Sequence, residues 1–382
     1  MLSAQLRRFL KLALPVSLFI LAPVSLAQEW TWTTSRIDTE GTDSSVAVDH
    51  DGNVHVSYRV PTHEQLKYAF LPAGSSHWFT MTLDGMLSEF LTGIAVDPKG
   101  NPFICYTPGV LKIAKFDGRR WSTQQVDPGG GLIQFYCSVR FGPNGEPQLS
   151  WYVDGTFALR YGVLRDGVWV ARTVDTDDAP GKMNSMALDR FGNPQFSYIG
   201  LTGIRLKYAR FTGQDWTKVS LVGRNRSLEL TNVDSGMGNS IVVDRDNNPM
   251  ISYFDISSLK FAHMVNGKWK FEVVDEFPPV PQWGWRMFRS TTVLDRNGNP
   301  HIGYQCPLGL KHAWWDGQQW RTRVILAPAG TLFDGAMAID DKNNLYFTYT
   351  DPAQGALMLA TGRYNGDQQT AKTEAPPAAK QP

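Results

Sequence analysis

The chain has 382 residues, with 37 Lys and Arg against 36 Asp and Glu and a formal net charge of +1. So even a balance leaves no electrostatic footprint for nucleic acid. Three cysteines in this length describe neither a disulfide-stapled scaffold nor a cysteine-rich metal protein.

The first 27 residues differ in kind from the rest. Arg7, Arg8 and Lys11 precede an apolar run over residues 12–23, and Ser25-Leu26-Ala27 offers a small-x-small cleavage site before Gln28. This predicts a secretory signal peptide rather than a spanning helix, and so a secreted or periplasmic protein. No Cys follows the run, so no lipid anchor is expected. Cleavage removes three of the 37 basic residues and leaves 34 against 36 acidic ones.

From Ser45 onward one pattern recurs: a small residue, apolar residues, Asp-x-x-Gly-Asn-Pro, then a strand ending in an aromatic residue. Clear copies are SMALDRFGNPQFSY at 185–198, SIVVDRDNNPMISY at 240–253 and TTVLDRNGNPHIGY at 291–304; others begin at Ser45, Gly93, Ser138 and Ala336. The Asp column reads Asp49, Asp97, Gly142, Asp189, Asp244, Asp295, Asp340, with spacings from 45 to 55 residues. A period of this length with four short strands per unit predicts a seven-bladed, all-β propeller. The strands are called a (SMALD), b (PQFSY), c (LKYAR) and d (WTKVSLV).

The second half of each unit agrees. Leu66, Leu111, Leu159, Leu206, Leu259, Leu310 and Leu357 open the c strands, and all but the last lead to Trp78, Trp121, Trp169, Trp216, Trp269 or Trp320. Six residues after each Trp stands Asp84, Asp127, Asp175, Val222, Asp275 or Leu326. The seventh unit lacks its Trp strand, while Trp32 and Asp38 stand near the start with no c strand before them. The N-terminal strand is therefore expected to complete the last blade, which removes a free sheet edge. The propeller is placed at residues 28–364, and residues 365–382, rich in Ala, Pro, Lys, Thr and Gln, are expected to be a disordered tail.

The repeated Asp reads as a turn residue bonding amides ahead of it, and the Trp column as packing. Cys105 and Cys137 fall at the same end of neighbouring blades; either they pair, or they and Cys306 are separate buried thiols. Asp175, Asp177 and Asp178 match no full calcium loop, and neither a metal nor a cofactor is expected.

The repeat S-x-A-x-D-x-x-G-N-P-x-x-S-Y, L-K-Y-A, G-x-x-W resembles that of exported bacterial seven-bladed β-propeller proteins, over nearly the whole mature chain. The resemblance implies the architecture; most such proteins have no assigned activity. It is also distantly similar to the sialidase-type Asp-box repeat, S-x-D-x-G-x-x-W. Here two residues separate Asp from Gly, and no motif supplies the arginine triad that those enzymes need.

Function concentrates where a regular scaffold carries irregular loops. The a–b and c–d turns are short and alike, whereas the b–c and d–a connections vary and share one end of the ring. The d–a connection at 276–289, EFPPVPQWGWRMFR, holds Trp283, Trp285, Arg286, Phe288 and Arg289, groups suited to stacking on sugars or gripping carboxylates, or to plugging the channel. Arg140 breaks a column otherwise made of Ala47, Ala95, Ala187, Val242, Val293 and Ala338, and Arg59 breaks blade 1. A cation there meets an anionic ligand or a neighbouring acid. His63, in the b–c loop of blade 1, is the candidate general base. The expected function is a monomeric binding module for a glycan or protein, without a membrane span. The alternative is a polysaccharide lyase or glycoside hydrolase using the Arg and His residues at the channel mouth.

Overall fold

The computed structural model describes residues 30–85, 91–126, 136–200, 205–222, 236–255, 257–278, 289–327, 334–351 and 353–365. They form seven four-stranded antiparallel sheets, six of them continuous in sequence. The seventh is ordered as expected: Trp30–Asp38 pairs with Ala356–Tyr364, Trp30 facing Tyr364 and Trp32 facing Gly362. Residues 1–27, expected to be a signal peptide, and residues 366–382 lie outside the described residues. Asn365, assigned to the tail by sequence, donates from Nδ2 to Thr31 Oγ1 at 2.8 Å. Among the described residues no helix is long and apolar enough to cross a membrane.

The Asp column is a turn device. Asp189 Oδ1 accepts the amides of Phe191 and Asn193, and Oδ2 accepts Asn193 Nδ2. The same bonds recur at Asp49 and Asp295, for example. Blade 3 has Gly142 instead, and the Glu146 carboxylate fills the space that a side chain there would take.

The Trp column packs blade against blade. Trp121 lies 4.8 Å from Tyr68, Trp216 5.8 Å from Tyr161, Trp269 5.1 Å from Tyr208 and Trp320 4.9 Å from Phe261, each a ring on strand c of the preceding blade. Trp32, from the closing strand, meets His312 of blade 6 in the same way at 5.8 Å. Such edge-to-face pairs add to the stabilisation from burial.

Two polar seams also join the blades, and sequence reading saw neither. The outer seam uses the Asp six residues after Trp32, Trp78, Trp169 and Trp269. Asp175 of blade 3 accepts from Tyr198 Oη (2.8 Å) and Lys207 Nζ (2.6 Å) of blade 4. Asp38, Asp84 and Asp275 hold Tyr58 and Lys67, Tyr106 and Lys112, and Tyr304 and Lys311 in the same way. Where Val222 replaces the Asp, Lys260 turns to Asp255 of its own blade at 2.9 Å.

The inner seam links the Ser of strand b to the residue opening strand a of the next blade. The pairs are Ser57 with Thr92 (2.8 Å), Ser150 with Asn184 (2.7 Å), Ser197 with Asn239 (2.5 Å) and Ser252 with Ser290 (2.7 Å). Cys105 and Cys137 occupy these two columns between blades 2 and 3, and a disulfide joins them. The covalent bond thus replaces a hydrogen bond that four other blade junctions use. Cys306 is free and buried. Between blades 6 and 7 the inner pair is lost: Gly303 stands in the Ser column, and a side chain there would collide with the Phe347 ring.

Candidate functional site at the loop end of the channel

The a strands line the central channel, each starting at the end of the ring where the b–c and d–a connections emerge. There a cavity of about 180 Å3 is lined by all seven blades. Its wall is made mainly of the small polar residues of the inner seam and the Ser column, for example Ser138, Ser185 and Ser240. Many of their polar atoms are already used. Asn184 and Asn239 give their amide hydrogens to backbone carbonyls of their own or the preceding blade. Ser185 Oγ accepts the Ile241 amide at 3.2 Å and Ser240 Oγ accepts the Thr292 amide at 3.0 Å, which leaves each hydroxyl its hydrogen to donate.

Of the residues singled out by sequence, the cavity brings together Arg140 and Arg289, which are the only charged residues in its described lining. Arg140 Nη1 donates to Val139 O at 2.7 Å and lies 3.5 Å from Ser138 Oγ. No carboxylate among the described residues pairs with it. Burial alone acts on its guanidinium, holding it below the ordinary arginine value, still charged at neutral pH. The two expectations for a cation at this position were an anionic ligand or a neighbouring acid; among the described residues no acid pairs with it.

Arg289 is committed differently. Its Nη1 donates to Asp334 O at 2.5 Å. The Asp334 carboxyl takes hydroxyl bonds from Thr42 and from Thr350 (2.9 and 3.0 Å), and its pKa is raised by burial and by the nearby Asp43 carboxylate. Asp43 in turn binds Arg59, whose Nε and Nη2 donate to Oδ2 at 3.0 and 2.8 Å. Arg59 therefore faces an internal acid and does not line the cavity. His63 ends a single turn, Pro61–His63, on the exposed surface, with Nδ1 3.1 Å from Glu40 Oε1. It is not in the cavity wall either. Trp283, Trp285, Arg286 and Phe288 lie outside the described residues. The Asp175–Asp178 stretch is served by lysines, with Lys218 Nζ 2.9 Å from Asp175 and 3.0 Å from Asp177.

No protein-family model matches the chain, and no curated protein is similar to it in sequence. Solved propellers are similar in fold. An ulvan lyase bound to GlcA(1-4)Rha3S has a TM-score of 0.58 at 14% identity, covering 89% of this chain and 99% of its own. The hydrazine synthase of Kuenenia stuttgartiensis has a TM-score of 0.57 at 10% identity, covering 85% and 96%. The lectin of Aleuria aurantia, solved with a fucosylated GlcNAc, has a TM-score of 0.52 at 12% identity, covering 78% and 100%. At such identities the likeness is one of architecture.

Proposed function

We propose that this protein is an exported binding module that recognises a glycan at the loop end of its channel. The observation that carries the reading is the cavity there: a concave, hydroxyl-lined pocket on the one face where the repeat gives way to variable connections. The fold is compatible, since it also serves a lectin and a polysaccharide lyase. A secreted or periplasmic location is supported by the Cys105–Cys137 disulfide, which persists in oxidising compartments.

A lyase would need a base beside the substrate carboxylate. His63 stands outside the cavity wall beside Glu40, whereas Tyr136, a residue type that can also serve as a base, lines it, so a lyase is the second reading. The test is a panel of neutral and acidic oligosaccharides, followed both by calorimetry and by ultraviolet absorbance of unsaturated products. Saturable binding without product is expected, unchanged in His63→Ala. Product formation lost in that variant would establish the lyase, and a panel without binding or turnover would hand the loop face to a protein partner.

A further inference from the structure

Arg140 lines the channel cavity, and no acid among the described residues pairs with it. A guanidinium carries five donors, and here one backbone carbonyl and one hydroxyl are its described partners. The chain bears the cost of holding a half-buried cation with no acid among the described residues, at a column that six other blades fill with Ala or Val. Around it the Ser185 and Ser240 hydroxyls each accept one backbone amide and keep a hydrogen to donate. No Asp, Glu, Lys or His side chain enters the described lining, and Arg289, the other cation, is turned toward Asp334.

We propose that the channel cavity is a receptor for one oxyanion, a carboxylate or sulfate group, gripped by the Arg140 fork and completed by the Ser185 and Ser240 hydroxyls. A planar fork and converging O–H donors match the two or three oxygens of such a group. A space of about 180 Å3 takes a charged substituent and a few waters, not a length of polymer. The substituent enters the channel while the rest of the ligand stays at the loop face. That the anion belongs to a sugar rests on the glycan reading; the receptor itself does not.

The experiment is calorimetry with D-glucuronate, D-glucose 6-sulfate, D-glucose and inorganic sulfate, on the wild type, Arg140→Met and Arg140→Lys. The anionic sugars should bind the wild type and glucose should not. Arg140→Met should weaken the anionic sugars at least tenfold while melting no lower than the wild type, because it removes a half-buried charge that no described acid pairs with. Arg140→Lys, which keeps the charge and loses the fork, should fall between, and it carries the test if the Met variant fails to fold. Equal binding of glucose and glucuronate, or full affinity in Arg140→Met, overturns the receptor. Neutral oligosaccharides binding where anionic ones do not also overturns it and leaves the glycan reading standing. Inorganic sulfate binding through Arg140 with no sugar bound supports the receptor and removes the glycan reading.

Discussion

Asp175 and Arg140 are the two ways a propeller can carry an internal charge. The Asp175 side chain has no exposed surface and is answered by Lys207, Lys218 and Tyr198. Burial raises its pKa, but the bonds from Lys207, Lys218, the Asp177 amide and Tyr198 outweigh that and hold it below 3.8. A depressed carboxyl contributes stability above the unfolded value, and that contribution is lost as pH falls through the folded one. Asp175→Ala leaves Lys207 buried and unpaired and should cost about 3–5 kcal/mol, measured by urea unfolding at neutral pH. The equivalent pair Asp84 and Lys112 is partly exposed, so Asp84→Ala should cost less, about 1 kcal/mol. The acid arm of the stability curve should flatten in Asp175→Ala. The Asp six residues after the Trp was visible in sequence and its role was not, because its partners lie 23 and 32 residues further along the chain. The readable clue was a paired exception: Leu326 replaces the Asp where Met358 replaces the Lys.

At the scale of strands, the closing segment leans on an unusual pair. His301 Nδ1 lies 3.0 Å from His312 Nε2, and both rings pack against Trp30 at 5.3 and 5.2 Å. In blades 1, 3 and 4 the His312 column holds Tyr68, Tyr161 or Tyr208, each bonded to the mid-strand residue of b, so histidine there is a substitution within a structural position. Burial, then the charges of His301 and Arg323, hold His312 well below 6.5; Asp295, 3.8 Å from His301, is the acid facing the pair. Below pH 6.5 the unfolded chain takes up a proton that the folded one refuses, so stability falls as pH falls. Thermal melts should be flat above about pH 7 and decline below about pH 6.5. His312→Tyr should remove part of that decline, the rest coming from His55, which burial also holds below 6.5. A wild-type curve flat down to about pH 5 would refute the assignment. The contact between His301 and His312 was not legible in sequence, because a period of repeats cannot reveal which side chains touch across a blade.

For the whole ring, seven blades and their closure were legible because each repeat states its own strands and the count was short by one strand at one end and over by one at the other. Arg140 was legible for the same reason, as a break in a column. The loop face was not: Arg59 and His63 looked available, yet each answers an acid, Asp43 and Glu40, that no repeat predicts. The pairing of Trp30–Asp38 with Ala356–Tyr364 has one more consequence. The two ends of the propeller belong to a single sheet, so trimming either end damages the same blade. Removing residues 30–38 or residues 356–364 should each lower the melting temperature sharply, and removing both should cost far less than the sum, because interacting sites are not additive. Additive losses would mean that the two strands contribute independently. In stability terms the propeller has no separate beginning and end, and cuts at its two termini count as one wound.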